Sequence, residues 1–98
     1  MFWVYILRCA DGTLYVGHTN DILRRQQDHN EGRGGRHTAA RRPVRMVYTE
    51  RHVTLESACD RERQLKQWTV AKKQALIAGD VKKLKRFAQR REQRPSHR

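Results

Sequence analysis

Two β-prone segments near the start of the chain, joined by a turn signal, constrain the fold more than any other feature. Residues 2–9 are rich in β-branched and aromatic side chains, which predicts a strand. The tetrapeptide Ala10-Asp11-Gly12-Thr13 is typical of a turn, and residues 14–18 predict the returning strand. The sequence therefore predicts a β-hairpin at this end of the chain.

The register of the hairpin decides where its two tyrosines point. A strict two-residue turn at residues 11–12 would send Tyr5 and Tyr15 to opposite faces of the sheet. A three-residue loop with a glycine bulge, pairing Ala10 with Leu14, would place both hydroxyls on one face. Tyrosines on strands are usually cross-strand packing residues, so a shared tyrosine site requires the bulged register.

The middle of the chain predicts a helix, a loop and a third strand. Asn20 offers an N-cap for a polar helix that runs to about Glu31. Residues 32–43 contain three glycines, four arginines and one histidine without an apolar period, which predicts a mobile basic loop. Residues 44–51 partly alternate between apolar and polar side chains and predict the third strand.

The last part of the chain predicts three helices, each with its own capping residue. Thr54 can cap a helix over residues 55–67, Thr69 can cap one that ends at Gly79, and Asp80 can cap the last. Residues 90–98 have no apolar anchor, which predicts a frayed or disordered end.

Chain length and cysteine usage limit the domain organisation. Ninety-eight residues are too few for two ordinary domains, so we expect one domain over residues 1–78 and a basic C-terminal helix and tail over residues 79–98. Cys9 and Cys59 are 50 residues apart with no CxxC motif, which indicates neither a disulfide scaffold nor a zinc cluster. We therefore expect a cytoplasmic protein.

The charge balance points to a polyanionic partner. The chain has 22 Lys and Arg against 10 Asp and Glu, a formal net charge of +12, so nucleic acid is the first partner to consider. A basic membrane-surface protein is the rival, but no apolar run approaches the roughly 18 residues of a spanning helix. We expect no membrane association and find no sign of an obligate protein partner.

Glu62 interrupts the apolar face of the predicted helix over residues 55–67. Leu55, Ala58, Glu62 and Leu65 share one face by their spacing, and a buried carboxylate is costly unless it is paired or binds a metal. It could lie at the edge of the stripe and pair with a neighbouring arginine. Alternatively it could be held at the floor of a site as a ligand for a hard divalent cation such as Mg²⁺.

Arg25 and His29 are four residues apart and therefore face the same way on the first helix. A guanidinium can hold a phosphate oxygen, and an imidazole can move protons near neutral pH. Because the intervening residues are also polar, a solvated helix surface is the alternative interpretation.

Taken together, these residues resemble a known nuclease family. Trp3-Val4-Tyr5, followed after ten residues by Tyr15-Val16-Gly17 and later by Asn20, Arg25, His29 and Glu62, is similar to the motif set of the GIY-YIG nuclease domain. The resemblance covers about residues 2–78 and is closest to the short, stand-alone members. It departs from the pattern at Trp3, where the family triplet has glycine.

The resemblance implies an α+β fold, a small three-stranded antiparallel sheet flanked by helices, and it assigns roles to matching residues. Tyr5, Tyr15, Arg25 and His29 match catalytic positions, Glu62 matches the metal-binding glutamate, and Gly17 and Asn20 match structural positions, Asn20 as a helix cap. The implied cofactor is Mg²⁺ or Mn²⁺.

The implied activity is metal-dependent hydrolysis of DNA phosphodiester bonds, with possible structure selectivity, in DNA repair or processing. A tyrosine would accept the proton of the attacking water directly or through His29, Arg25 would stabilise the phosphorane, and the metal on Glu62 would stabilise the leaving oxygen. A non-catalytic DNA- or RNA-binding module on the same fold is the alternative. The phosphate contacts are expected from two basic sets: Arg33, Arg36, Arg41 and Arg42 in the loop, and Lys82, Lys83, Lys85 and Arg86 in the last helix.

Overall fold

A computed structural model describes residues 1–92 of the chain. Three antiparallel strands and five helices make up this part, which confirms the α+β fold. The elements are β1 (Phe2–Arg8), β2 (Leu14–Thr19), α1 (Ile22–Asn30), α2 (Arg36–Ala39), β3 (Arg45–His52), α3 (Leu55–Lys66), α4 (Val70–Ala78) and α5 (Val81–Glu92). The predicted fraying of residues 90–98 falls mostly outside the described residues; within them, α5 continues to Glu92.

The chain divides into two compact units, one from Met1 to Gln67 and one that begins at Trp68. The first contains the whole sheet with α1, α2 and α3, and the second contains α4 and α5. The domain boundary after residue 78 remains a prediction. None of the helices within residues 1–92 is both long and apolar enough to cross a bilayer.

The sheet has the order β2-β1-β3, so β1 is its central strand. Val4, Tyr5, Ile6 and Leu7 are all at most 1% exposed, although successive side chains point to opposite faces. Both faces of β1 are therefore covered, which explains why its sequence is a continuous apolar run rather than an alternating one. β2 is left as an edge strand.

A three-residue loop closes the hairpin and fixes the direction of both tyrosines. The Cys9 N–H donates to the Thr13 carbonyl and the Gly12 N–H donates to the Cys9 carbonyl, both at 2.9 Å. Gly12 adopts φ 87°, the left-handed conformation that a glycine bulge uses.

The resulting register places Tyr5 opposite Gly17 and Leu7 opposite Tyr15, so both tyrosines lie on one face. The predicted shared face is confirmed, but the predicted pairing of Ala10 with Leu14 is wrong. The loop occupies residues 10–12, one position earlier, because Gly12 rather than the residue after it takes the left-handed position.

The N-cap of α1 is Asp21, so the expected role of Asn20 as the cap is wrong. The Asp21 side chain accepts a hydrogen bond from the Arg24 N–H at 3.1 Å, and the Thr19 hydroxyl accepts one from the Asp21 N–H at 3.0 Å. Asn20 itself is exposed. The later caps are confirmed: Thr54 accepts from the Ser57 N–H, Thr69 from the Lys72 N–H and Asp80 from the Lys83 N–H, and Gly79 ends α4 at φ 69°.

The basic segment between α1 and β3 is more ordered than its composition predicts. Residues 36–39 form the short helix α2, and its Thr38 side chain is fully buried. The expectation of a loop without regular structure is therefore wrong. One buried hydroxyl, which an analysis of apolar periodicity does not detect, anchors the helix beneath α1.

Helix α3 packs against all three strands. Ala58 and Leu65 are fully buried, as predicted for the apolar face of this helix. Leu55 is 48% exposed, so its predicted place on the buried face is wrong. Leu55 is the first residue of α3 and directly follows the N-cap residue Thr54. Glu62 therefore lies between two buried positions, with its side chain 18% exposed.

Candidate active site

The centre of the candidate site is a hydrogen bond between β1 and α1. The Tyr5 hydroxyl lies 3.0 Å from His29 Nε2, and His29 is fully buried although it belongs to an otherwise polar helix. The Tyr5 and Tyr15 rings both contact the imidazole edge to face, with centroid distances of 5.9 and 5.4 Å. For His29, the alternative interpretation of a solvated helix surface is therefore wrong: its ring lies between the rings of Tyr5 and Tyr15.

Thr38 holds the other nitrogen of this imidazole. Its Oγ1 lies 2.7 Å from His29 Nδ1 and 3.5 Å from the Gly35 carbonyl oxygen, and in the second contact the threonine hydroxyl is the donor. We therefore assign the proton to Nδ1, which donates to Thr38. Nε2 is then the acceptor for the Tyr5 hydroxyl.

Two glycines make room for this arrangement. A Cβ at Gly17 would lie 2.5 Å from the Tyr5 hydroxyl oxygen, and a Cβ at Gly34 would overlap the His29 ring. Side chains at these positions would displace the tyrosine and the imidazole respectively. Gly17 therefore lets the Tyr5 side chain cross the edge strand.

The protonation states follow from burial and from the neighbouring charges. Burial raises the pKa of Tyr5 well above its usual value, the charge of Tyr15 adds to this, and the Arg25 guanidinium opposes it. Burial also lowers the pKa of His29, and the charge of Arg25 lowers it further. At neutral pH the site therefore holds a neutral phenol and a neutral imidazole.

Arg25 is half-buried on α1, acts on the pKa of Tyr5, and lines a cleft of about 400 Å³. The other lining residues come from the end of β2 and the first turns of α1: Thr19, Asn20, Asp21, Arg24 and Asp28. Two arginines and two aspartates line this cleft, so Arg25 offers a phosphate one local cation rather than a uniformly positive surface.

Glu62 approaches the tyrosines across the edge strand. Its Oε1 lies 2.5 Å from His18 Nδ1, and His18 pairs with Val4, which places it on the sheet face opposite Tyr5. The charge of Glu62 nevertheless contributes to the raised pKa of Tyr5. The charges of Tyr15, Arg25 and Glu62 therefore all act on Tyr5, and the assignment of these residues to one site remains a prediction.

Both oxygens of the Glu62 carboxylate have partners. Oε2 forms an ion pair with Lys66 Nζ at 2.8 Å, while His18 holds Oε1. Burial alone would raise the pKa of Glu62, but the hydrogen bonds from Lys66 and His18 outweigh it and hold this pKa below its usual value. The sequence alternative of a neighbouring arginine as partner is wrong.

The site offers a divalent cation one carboxylate. No group of three or more His, Cys, Asp or Glu side chains within residues 1–92 is arranged to hold a metal ion. A single carboxylate still suits Mg²⁺, which usually keeps several waters and takes phosphate oxygens from a substrate. Glu62 therefore fits as a single protein ligand for such a cation, provided that the Lys66 ammonium moves away from Oε2.

Sequence reasoning missed three residues of the site: His18, Thr38 and Lys66. The pairing of Lys66 with Glu62 could have been read from their spacing of four residues on one helix. His18 and Thr38 reach the site through tertiary contacts, and neither residue belongs to a local pattern that indicates its partner.

The loop arginines are largely engaged with groups of the protein itself. Arg33 forms ion pairs with Asp28 and Glu31, Arg41 pairs with Asp11, and Arg42 donates to the Ala39 carbonyl. Arg36 is exposed, and so are four of the basic residues of α5: Lys82, Lys83, Lys85 and Arg86. The expected phosphate contacts of both sets remain predictions.

Comparison with known proteins identifies the class. The family model of the GIY-YIG catalytic domain matches residues 1–75, and the chain belongs to this family, whose fold is that of a nuclease. Within it, the relatives of this chain are small UPF0213 proteins. GIY-YIG nucleases act on nucleic acid and are generally metal-dependent.

Three of these relatives show how far the similarity extends. The chain is 45% identical to a UPF0213 protein from Bacillus pumilus over 75 residues, 76% of each chain. It is 42% identical to one from Natronomonas pharaonis over 79 residues, 81% of this chain and 93% of that one. The solution NMR structure of the UPF0213 protein BH0048 from Bacillus halodurans is similar with a TM-score of 0.53 and 37% identity, covering 82% of this chain and 86% of that one.

Proposed function

We propose that this protein is a metal-dependent endonuclease that hydrolyses phosphodiester bonds in DNA, with a preference set by DNA structure and a role in DNA repair or processing in the cytoplasm. The observation that carries the proposal is the Tyr5–His29 hydrogen bond, on which the charges of Arg25 and Glu62 both act. The hydrogen bonds on both nitrogens hold the His29 ring in one orientation towards Tyr5, which a proton transfer between the two requires.

The proposed proton transfer passes through Tyr5 to His29. The Tyr5 hydroxyl oxygen accepts a proton from the attacking water while its own proton moves to His29 Nε2. Tyr5 stays neutral throughout, so its raised pKa does not oppose the step. The resulting imidazolium keeps its Nδ1–H on Thr38, which holds the ring in place. This scheme favours Tyr5 over Tyr15 as the acceptor.

Arg25 and Glu62 have complementary roles. The Arg25 guanidinium stabilises the negative charge that develops on the pentacovalent phosphorus. Glu62 is the protein ligand of a divalent cation, Mg²⁺ or Mn²⁺. When bound, this cation stabilises the charge on the leaving 3′ oxygen. His18 orients the carboxylate for this purpose through its contact with Oε1.

Cleavage of a substrate panel tests the proposal. Purified protein is incubated with labelled branched, nicked and linear DNA in the presence of Mg²⁺, Mn²⁺ or a chelator. We expect metal-dependent cleavage that falls by roughly 100-fold or more in Arg25→Ala and Glu62→Gln, since each removes stabilisation of transition-state charge. Arg45→Ala is the matched control, because Arg45 is exposed on β3 at the other edge of the sheet.

Two results would contradict the proposal. Activity that survives in Glu62→Gln would indicate a contaminant or a different site. Tight DNA binding without cleavage of any substrate, with either metal, would identify the protein as a non-catalytic DNA- or RNA-binding module on the same fold.

A further inference from the structure

The two partners of the Glu62 carboxylate differ in how firmly they are held. His18 belongs to β2, and its ring also lies 3.9 Å from the Cys59 sulfur. Lys66 is one turn further along α3, and its side chain is 53% exposed at the end of four flexible methylenes. Lys66 is therefore the partner of Glu62 that another cation can displace from Oε2.

Lys66 competes with a divalent cation for the same oxygen. Its ammonium lies 2.8 Å from Oε2, the oxygen that His18 leaves available. Two cations on one carboxylate oxygen repel each other, so metal binding to Glu62 requires Lys66 to move. An exposed ion pair between residues four apart on a helix is weak enough to break readily.

We propose that Lys66 occupies the place of the metal on Glu62 until a nucleic-acid phosphate draws the ammonium away, so that metal and substrate bind cooperatively. The inference rests on the proposed function, because it takes Glu62 as the metal ligand. It adds the condition under which this ligand becomes available.

The position of Lys66 suits such a transfer. The pKa of Lys66 is raised mainly by its hydrogen bond to Glu62, and electrostatic coupling with Tyr15 adds to this. The ammonium is therefore bound to the acid and within electrostatic range of the second tyrosine. A phosphate bound near Tyr15 would offer the exposed lysine an anionic partner in place of the carboxylate.

Thermodynamic linkage makes the effect reciprocal. If phosphate removes Lys66 from Glu62 and thereby strengthens metal binding, then bound metal strengthens nucleic-acid binding by the same factor. The free protein would hold its metal weakly and acquire it together with substrate.

Direct Mn²⁺ binding to the nucleic-acid-free protein tests the inference without relying on catalysis. The signal of free Mn²⁺ in electron paramagnetic resonance gives the affinity. We expect Lys66→Met to bind Mn²⁺ roughly two- to fivefold more tightly than the wild type, because the competing ammonium is gone. Lys66→Arg, which keeps the ion pair, should bind like the wild type. Arg63→Met is the matched control, since it removes one positive charge from the exposed side of α3.

The outcomes separate this inference from the proposed function. Equal affinity in the wild type and Lys66→Met, with weaker binding in Glu62→Gln, would overturn the inference and leave Glu62 as the metal ligand. Tighter binding in both Lys66→Arg and Lys66→Met, or in Arg63→Met, would also overturn it. Mn²⁺ binding that does not depend on Glu62 in any variant would overturn the metal site, and the inference with it.

Cleavage supplies the second measurement. The Mn²⁺ concentration for half-maximal cleavage of nicked duplex should fall as substrate is raised for the wild type, but not for Lys66→Met. The variant should also cleave more slowly at saturating metal, because the phosphate has lost a cation. Tighter metal binding combined with a slower reaction is a result that simple destabilisation of the fold would not give. A half-maximal Mn²⁺ concentration that stays constant with substrate in the wild type would contradict the proposed cooperativity.

Discussion

Gly17 determines how close the Tyr5 side chain comes to the edge strand. The phenol passes over the glycine backbone, and a Cβ there would lie 2.5 Å from its oxygen and 2.6 Å from the ring carbon that bears it. Both atoms belong to the side chain of Tyr5, which is 1% exposed and packed against other buried side chains. The phenol therefore cannot simply move aside.

Gly17→Ala is therefore expected to damage stability and activity together. Overpacking of this kind costs about 1–3 kcal/mol in the free energy of unfolding. Displacing the Tyr5 hydroxyl from His29 by about 1 Å should reduce cleavage by about 100-fold at temperatures where the variant is folded. Urea unfolding and cleavage of nicked duplex measure the two effects.

Gly12→Ala is the matched control for this variant. Its Cβ would meet no atom within 4 Å, but its φ of 87° is costly for alanine. It should lose a similar free energy and keep its cleavage rate. Equal cleavage rates in the two folded variants would show that the close approach at Gly17 has no part in the reaction.

His29 should make the protein sensitive to mild acid. Its pKa is lowered in the folded state, first by burial, whereas in the unfolded chain it titrates near its usual value of about 6.5. The unfolded state therefore binds the proton first as the pH falls. The contribution of His29 to stability is present above about pH 6.5 and is lost as the pH falls through the lowered pKa.

Urea unfolding at pH 7.5 and pH 5.0 measures this contribution. The wild type should lose more free energy between the two pH values than His29→Gln, which shares every other titrating group. An NMR titration follows the imidazole directly. A midpoint for His29 at or above 6.5 in the folded protein would contradict the expectation.

At this scale the sequence predicts residue types better than it predicts contacts. Tyr5, Tyr15, Arg25, His29 and Glu62 can be selected by pattern and resemblance, and the structure brings their charges and rings together. Their partners could not be found in the same way. Thr38 lies in a segment without periodicity, and its importance comes from one hydrogen bond to a buried nitrogen.

Among the elements, α3 connects the stability of the fold to the position of Glu62. Its buried residues Ala58 and Leu65 fix the rotation of the helix against the sheet, and Glu62 lies between them along the chain. The Thr54 cap fixes where the helix starts. The proposed metal ligand is thus positioned by a helix that other residues, Ala58 and Leu65, hold against the sheet.

Leu65→Ala and Leu55→Ala provide a paired test of this helix. Leu65 is fully buried, and its truncation should lower the free energy of unfolding by about 2–5 kcal/mol because it leaves a cavity. Leu55 is 48% exposed, so the same change there should cost less than about 1 kcal/mol. Similar losses in denaturant unfolding would show that Leu55 packs into the core after all.

Elements that carry local signals were predictable, and those that depend on tertiary contact were not. Thr54, Thr69 and Gly79 end or begin helices through contacts within four residues, so the sequence identifies them. Helix α2 has only four residues and no apolar stripe, and tertiary contacts hold it: Thr38 bonds to His29, and the His37 ring stacks on Tyr15. The α1 cap was misplaced by one residue because Asn20 and Asp21 are both good capping types.

For the whole molecule, the distribution of charge matters more than its sum. The net charge of +12 predicts polyanion binding, but the cations are not equally available. Arg33 and Arg41 are already paired with carboxylates, whereas Lys82, Lys83, Lys85 and Arg86 of α5 are exposed.

The salt dependence of DNA binding should separate these two sets. Each phosphate contact contributes about −0.9 to the slope of log K against log salt concentration on duplex DNA. Replacing Lys82, Lys83, Lys85 and Arg86 with Gln should reduce the slope more per residue than replacing Arg33 and Arg41. Fluorescence anisotropy with a nicked duplex over a salt series measures both slopes, and equal changes per residue would contradict the distinction.

The three-residue turn between β1 and β2 has a consequence for how such a chain can vary. Side chains alternate in direction along a strand, so adding or removing one turn residue would rotate every later position of β2 by half a period. Tyr15 would then turn to the opposite face of the sheet, and Leu14 or Val16 would take its position opposite Leu7. The length of this corner is therefore as constrained as the left-handed glycine within it, because a change of one residue would separate the two phenols.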